Sequence, residues 1–137
     1  MITMAQFPTE AWVEALMVKL NTDKQYAQIA RKWEGDILFE IVPDDHFQDT
    51  RILYLDLWHG KCRAAYVVCN GKVQDAAFTL TALYSNYVKL LNGEIDPMQA
   101  LLTRKLGVKG NMAVLMRSVP TVLDFVRCCR EITDSFE

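Results

Sequence analysis

The sequence predicts an α+β fold, because residues with the strand-like period of two cluster in the middle of the chain and residues with a helical period occupy both ends. Hydrophobic residues make up 51% of the 137 residues and charged residues 23%, which is typical of a folded globular protein. A chain of this length can bury one hydrophobic core without disulfides or a structural metal ion. We therefore expect a single domain over residues 1–137.

Two short helices are expected near the start of the chain. Pro8 and Thr9 are typical of a helix start, and Thr22 and Asp23 offer caps for a second helix that ends at Gly35. Apolar residues recur at spacings of three and four in both segments, as in amphipathic helices. These residues are Val13, Leu16, Met17 and Leu20, followed by Tyr26, Ile29, Ala30 and Trp33.

Three runs with strand-like alternation follow, over residues 36–43, 51–59 and 62–69. The loop at 43–45 and the tight pair His59-Gly60 predict hairpins, so these runs form an antiparallel meander. Leu53, Leu55 and Leu57 point to one side of the middle strand, and we assign this leucine face to the core. The residues that point to the other side are Ile52, Tyr54, Asp56 and Trp58. A turn at 70–72 then precedes a fourth run over residues 75–81.

Helical periodicity returns at Leu80, interrupted by one short β-like piece over residues 106–109. The first helix of this region ends at Asn92-Gly93, Asp96 and Pro97 start the next, and Pro120 separates the last two. The apolar stripes are Leu80, Leu83, Tyr84, Tyr87, Val88 and Leu91; Met98, Leu101 and Leu102; Met112, Leu115, Met116 and Val119; and Val122, Phe125, Val126, Cys129 and Ile132. Such stripes are more often protein core than ligand wall, and periodicity alone leaves both interpretations open.

The charge of the chain argues against a nucleic-acid partner. The chain has fifteen Lys and Arg residues and seventeen Asp and Glu residues, so it has no general positive electrostatic field. The sequence has no apolar run long enough to span a bilayer and no signal-peptide pattern at its N-terminus. The cysteines, at positions 62, 69, 128 and 129, form no recognisable disulfide framework or C-x-x-C motif, which favours a reducing compartment. We therefore expect the protein in the cytoplasm.

Few residues qualify for catalysis or metal binding. His59 falls in a hairpin and His46 in a loop after Asp44 and Asp45, where solvent-exposed side chains are the ordinary case. The acidic loop lacks the glycine and terminal glutamate of an EF-hand, and the glycines at 107 and 110 match no phosphate-binding motif. The expectation is no catalytic residue, no bound metal ion and no cofactor.

Two motifs in the C-terminal half carry a resemblance. The stretch GEIDPMQA over residues 93–100, followed by KLGVKGNM over residues 105–112, closely resembles the hallmark of the sterol carrier protein 2 family. In that family G-x-[LI]-D-P-x-x-A precedes K-L-x-[VI]-x-G-[ND], and both halves stand here at the expected separation. Residues 33–36 and 54–62 also resemble single-domain microbial members.

The resemblance implies a five-stranded mixed sheet, in which a three-stranded antiparallel meander crosses over to two more strands and helices enclose an apolar tunnel on one face. It also implies a nonspecific carrier of a fatty acid, fatty acyl-CoA, phospholipid or sterol-like ligand rather than an enzyme. The residues expected to line the tunnel are Phe39, Leu55, Leu57, Phe78, Leu80, Leu83, Met98, Leu101, Leu102, Met112, Leu115, Met116, Val119, Val122 and Val126.

A polar head group would stay near the tunnel mouth, where Arg104, Lys105 and Lys109 are the expected contacts for a carboxylate or phosphate. An equally weighted interpretation is that these three residues are ordinary solvated charges beside a short strand. Two other functions stay open: a non-catalytic interaction module or accessory subunit of a lipid-metabolising enzyme, and an acyl-CoA-processing enzyme. A homodimer and transient contact with membranes are compatible with the carrier hypothesis.

Overall fold

The computed structural model describes residues 4–68 and 75–137. Strands of the main sheet are concentrated between two helical regions, and a short strand lies near each end. The elements are β1 (Ala5–Phe7), α1 (Glu10–Thr22), α2 (Lys24–Ile29), β2 (Glu34–Val42), β3 (Arg51–Trp58), β4 (Lys61–Val67), β5 (Phe78–Leu83), α3 (Tyr84–Leu91), α4 (Pro97–Leu102), β6 (Gly107–Lys109), α5 (Met112–Arg117), α6 (Val119–Glu131) and β7 (Thr133–Phe136).

The main sheet has the order β4-β3-β2-β5-β6 across the described residues. β2, β3 and β4 pair antiparallel as a meander, whereas β5 crosses over to lie parallel to β2, and β6 pairs antiparallel with β5. This topology confirms the expected five-stranded mixed sheet and α+β class. The turn expected at 70–72 lies outside the described residues.

The leucine face of β3 is buried, as its alternation predicts. Leu53, Leu55 and Leu57 are almost fully inaccessible to solvent. In β2, Ile37 and Ile41 belong to the same buried cluster, since alternate residues of a strand share a face. The sheet therefore presents one apolar face to the helices.

Side-chain caps begin several helices. Thr9 accepts a hydrogen bond from the backbone N–H of Trp12 at the start of α1, and Asp23 accepts one from Tyr26 at the start of α2. Asp96 caps α4 ahead of Pro97, and Asn111 caps α5. These polar residues satisfy amide groups that have no partner within the helix.

The boundary between β5 and α3 differs from the sequence expectation. The apolar stripe predicted a helix from Leu80, but residues 80–83 continue β5 and pair with residues 39–42 of β2. Tyr84 instead begins α3. Ladder hydrogen bonds to a long neighbouring strand decide the conformation of this segment, where both periodicities overlap.

Two further features of the fold differ from the sequence expectation, namely the β1–β7 pair and the end of the second helix. β1 and β7 form a separate two-stranded parallel sheet that joins residues 5–7 to residues 133–136. The second helix ends at Ile29 rather than continuing to Gly35. Trp33 lies beyond the helix, where its indole N–H donates to the carbonyl oxygen of Gly35 at 2.9 Å.

Candidate functional site

An apolar cavity of about 100 Å³ lies between the sheet and the helices, and it is neither sealed from solvent nor a flat surface groove. Each of α1 to α6 contributes at least one side chain to its wall. The lining residues are Phe7, Trp12, Tyr26, Trp33, Ile37, Phe39, Leu53, Leu57, Leu80, Tyr87, Leu90, Leu91, Pro97, Leu101, Leu106, Leu115, Thr121, Val122, Phe125, Val126 and Cys129. The helices therefore cover one face of the sheet and enclose a space above it.

The sheet forms the floor of the cavity. Phe39 of β2 pairs with Leu53 of β3 on one side and with Leu80 of β5 on the other. All three side chains line the cavity. Because directly paired residues in neighbouring strands project to the same face, the register itself assembles this apolar floor.

Aromatic rings join the floor to the helices. The ring of Phe39 stacks against Phe125 of α6, with 5.7 Å between centroids and 5° between ring planes. The ring of Tyr87 of α3 lies 6.4 Å from Phe39, nearly perpendicular to it. Such contacts hold α3 and α6 against the sheet, and all three rings line the cavity.

Three of the polar aromatic side chains in the lining, those of Trp12, Trp33 and Tyr87, donate hydrogen bonds to protein groups. The hydroxyl of Tyr87 donates to the carbonyl oxygen of Leu80 at 2.7 Å, and the indole N–H of Trp12 donates to Thr133 Oγ1 at 2.8 Å. Burial and the nearby Glu40 carboxylate raise the pKa of Tyr87 well above its ordinary value, so it remains neutral. The cavity can therefore accept apolar groups without leaving these atoms unpaired.

The lining of the cavity consists mainly of apolar side chains. No lining residue is charged and none is histidine. The one thiol in the lining, Cys129, is buried, and burial raises its pKa well above the ordinary value. A protonated thiol is a poor nucleophile, and the lining provides no general base to activate it.

The expected ligand-binding residues divide into three groups. Those that line the cavity are Phe39, Leu57, Leu80, Leu101, Leu115, Val122 and Val126. Those that lie within the protein but outside the lining are Leu55, Phe78, Met98 and Val119, of which the last two are only half-buried. Those exposed at the surface are Leu83, Leu102, Met112 and Met116. Contact of any of these residues with a ligand stays a prediction.

The three expected head-group contacts do not share one location. Arg104 and Lys105 lie in the loop between α4 and β6, and this loop connects the lining residues Leu101 and Leu106. Lys109 pairs with Thr79, next to the pair formed by Leu80 and Val108. Because Leu80 faces the cavity, Lys109 projects from the opposite face of the sheet.

The histidines and the acidic loop have structural contacts. His59 Nε2 lies 2.6 Å from Glu34 Oε2 at the exposed β3–β4 turn. Asp44 accepts hydrogen bonds from the backbone N–H groups of His46 and Ser85, which ties its loop to α3. Neither position belongs to the cavity lining.

A cluster of potential metal ligands is already compensated by an arginine. Asp23, Asp124 and Cys128 bring one ligand atom each within 4.8 Å of one another. The guanidinium of Arg127 bonds both carboxylates, at 2.7 Å to Asp23 and 2.8 Å to Asp124. This cation already compensates the charge of both carboxylates, so the donor set fits an ion-pair network.

The sequence interpretation missed the contribution of the N-terminal region to the site. Phe7, Trp12, Tyr26 and Trp33 line the cavity although no lining residue was expected before Phe39. The signal was present in the apolar stripes of the first two helices. Periodicity shows that a helix buries one face, but it does not show which cavity that face borders.

Comparisons with known proteins agree with this architecture. The model of the SCP-2 sterol transfer family matches residues 13–122. A crystal structure of sterol carrier protein 2 is 32% identical, with a TM-score of 0.84, and the alignment covers 93% of this chain and 99% of that chain. A possible sterol carrier protein from Thermus thermophilus is 29% identical, with a TM-score of 0.84, and the alignment covers 97% and 96% of the two chains.

A more distant structure shares the fold alone. Sterol Carrier Protein 2 from Aedes aegypti, in complex with the C16 fatty acid palmitate, is 15% identical, with a TM-score of 0.53 and coverage of 85% of this chain and 96% of that chain. The search of curated proteins found no significant match. No helix within residues 4–68 and 75–137 is long and apolar enough to cross a membrane. From the family match and the shared fold, the chain belongs to the SCP-2 sterol transfer family, whose members bind and carry lipids.

Proposed function

We propose that this protein carries a single-tailed lipid, with a fatty acid as the best-supported ligand class, and that it holds the tail in the cavity between sheet and helices. The observation that carries the proposal is the lining, which is apolar apart from Thr121, Cys129 and the polar atoms of its tryptophan and tyrosine side chains. The palmitate complex of the Aedes aegypti protein supports the ligand class, because that protein shares the fold.

The energetics favour a tail over a compact polar ligand. Each methylene transferred from water into an apolar site contributes about 0.8 kcal/mol, so a tail of about sixteen carbons has a gross gain of roughly 12 kcal/mol. Ordering the tail and the protein reduces this gain, and micromolar binding remains within reach. The carboxylate stays outside, since no cation lines the cavity.

Uptake of a whole tail requires the cavity to expand. Its volume of about 100 Å³ is smaller than the roughly 300–1,000 Å³ of typical small-molecule sites. α4 and α5 have six residues each and join through the three-residue strand β6 at the sheet edge. We infer that outward movement of α4 and α5 provides the additional volume.

The same geometry supports a carrier rather than an enzyme. An acyl-CoA-processing enzyme needs a nucleophile with a base, or paired acidic groups, beside the reactive carbon. The lining offers one protonated thiol, Cys129, and no acidic side chain. We place the carrier in the cytoplasm, where the free thiols of Cys62, Cys128 and Cys129 are stable.

A pair of matched variants on α6 tests the proposal. Val122 lines the cavity, whereas Val119, one turn earlier, is half-buried outside the lining. We expect Val122→Phe to fill the cavity and weaken palmitate binding by about tenfold or more, as measured by isothermal titration calorimetry. Val119→Phe is expected to bind palmitate with nearly wild-type affinity.

Urea unfolding of both variants shows whether each is folded under the titration conditions. Equal palmitate affinities for folded Val122→Phe and wild type would show that the tail does not occupy this cavity. A wild-type protein that binds neither palmitate nor a lysophospholipid would overturn the proposed function.

A further inference from the structure

Residues 97–123 form a continuous basic segment in a chain of formal net charge −2. The segment contains Arg104, Lys105, Lys109 and Arg117 and no aspartate or glutamate. All four side chains are exposed, and none forms an ion pair with another described residue. Their positive charge is therefore uncompensated locally and available to an external anionic surface.

The same segment exposes large apolar side chains. Leu102 at the end of α4 is 75% exposed, and Met112 and Met116 of α5 are 43% and 46% exposed. Leu123 near the start of α6 is 41% exposed. Exposing several large apolar groups in one stretch of chain costs free energy in water, which is typical of a surface that meets an apolar partner.

These exposed residues alternate with the cavity wall. On α4 the lining residue Leu101 is followed by exposed Leu102, and on α5 the lining residue Leu115 is followed by exposed Met116. Adjacent helical residues are separated by about 100° around the axis. Each of these helices thus carries an apolar surface that continues from the cavity to the outside.

We propose that α4, the loop to β6, α5 and the start of α6 form a docking face for an anionic phospholipid bilayer. Leu102, Met112 and Met116 would enter the interfacial region, while Arg104, Lys105 and Arg117 would lie at the level of the phosphates. The inference rests on the proposed function, because docking by these helices would open the cavity wall directly to the lipid from which a tail is taken.

Other surfaces of the protein fit an anionic bilayer less well. The exposed side of α1 combines Val18 with Glu10 and Glu14, whose carboxylates would be repelled. The outer face of the sheet carries paired polar groups, including the bidentate contact of Arg63 with Asp56. Charge complementarity therefore selects the basic segment, although Lys109 projects from the far side of the sheet edge and contributes less.

Vesicle sedimentation with the full chain tests the docking face. We expect the wild-type protein to bind vesicles of phosphatidylcholine with about 30% phosphatidylglycerol, to bind pure phosphatidylcholine more weakly, and to dissociate as NaCl rises from about 0.05 to about 0.5 M. The charge variant Arg104→Gln/Lys105→Gln/Arg117→Gln is expected to bind the anionic vesicles at least about tenfold more weakly.

Matched controls separate this face from the general charge and hydrophobicity of the protein. Lys24→Gln/Lys32→Gln/Lys61→Gln removes the same number of exposed cations from other elements, and we expect it to retain most vesicle binding. Leu102→Asp is compared with Val18→Asp, which changes a 57% exposed apolar residue on α1. Only the Leu102 variant is expected to lose binding.

The outcomes distinguish the docking face from the carrier function when palmitate binding of the wild-type chain is measured separately without vesicles. Palmitate binding without vesicle binding would overturn the docking face and leave the carrier function intact. Vesicle binding without palmitate binding would overturn the carrier function and leave the docking face intact. Equal losses in the two charge variants, or in the two aspartate variants, would also overturn the assignment to this face.

Discussion

Arg127 joins three helices through its guanidinium group. It lies on α6 and bonds Asp23, Asp124 and Glu131 at 2.7 to 2.8 Å, while Lys19 of α1 bonds Asp23 at 3.0 Å and Glu131 at 2.7 Å. The hydrogen bonds from Arg127 hold the pKa of Asp23 well below its ordinary value, and those from Lys19 and Arg127 lower the pKa of Glu131. The network holds the junction of α1 and α2, where Asp23 lies, against α6, which lines the cavity.

The first prediction concerns the charge of Asp23. Asp23→Asn retains a side-chain oxygen that can cap α2 but removes the ionic contacts with Arg127 and Lys19. We expect this change to lower the free energy of unfolding by about 2 kcal/mol at pH 6, because hydrogen bonds between charged groups that are mostly buried are lost. Urea denaturation measures the difference.

The pH dependence has a defined sign. Because the pKa of Asp23 is lower in the folded state than its ordinary value of 3.8, its stabilising contribution is present above that value and is lost as pH falls below it. The stability difference between wild type and Asp23→Asn should therefore shrink at pH 3. A difference that is equal at pH 6 and pH 3 would contradict the ionic interpretation, and Glu14→Gln, an exposed change on α1, is the control.

The helices around the cavity differ in how firmly they are held. α1 is fixed to the sheet by Asn21, whose side-chain amide exchanges two hydrogen bonds with the backbone of Cys62 in β4. α6 is fixed by Arg127 and by Arg130, whose guanidinium donates to the carbonyl oxygen of Leu90 in α3. α4 and α5 are shorter, and their contacts to the protein are chiefly apolar side chains at the cavity.

This difference predicts where the structure opens. We expect amide hydrogens of α4 and α5 to exchange faster than those of α6, because short helices without long-range polar contacts open at lower free-energy cost. Palmitate should slow exchange in α4 and α5 more than in β3, which serves as the internal reference. Hydrogen exchange followed by mass spectrometry tests this directly, and uniform protection of all helices by palmitate would argue against local opening.

At the scale of the whole molecule, residues distant in sequence close around one cavity. In the parallel pair β1–β7, the ring centroids of Phe7 and Phe136 lie 6.3 Å apart. Phe7 itself lines the cavity. Trp12 of α1 bonds Thr133 of β7, which connects the first helix to the last strand. The cavity wall therefore depends on contacts that span almost the entire chain, and filling it should stabilise the fold as a unit.

Ligand binding should consequently raise the thermal midpoint of the whole protein. A ligand that binds only the folded state at about 100 times its dissociation constant adds about 2.7 kcal/mol to the free energy of unfolding. For a protein of this size we expect an increase in Tm of roughly 10 °C. Differential scanning calorimetry with palmitate measures the shift, with Val122→Phe as the control variant that should show a much smaller one. No shift for the wild type at saturating palmitate would contradict linkage between binding and folding.

The sequence by itself determined the α+β class, the meander and the cap residues Asp23 and Asp96, because these depend on local periodicity and local hydrogen bonds. Its motifs over residues 93–112 also indicated the family, which the match over residues 13–122 confirmed.

Tertiary structure decided the β1–β7 pair and the strand conformation of residues 80–83, since both depend on partners distant in the chain. It also decided that Leu101 and Leu115 border the cavity while Leu102 and Met116 meet solvent. Neighbouring apolar residues have nearly the same local signal, and only the packing of one element against another assigns each to the inside or the outside.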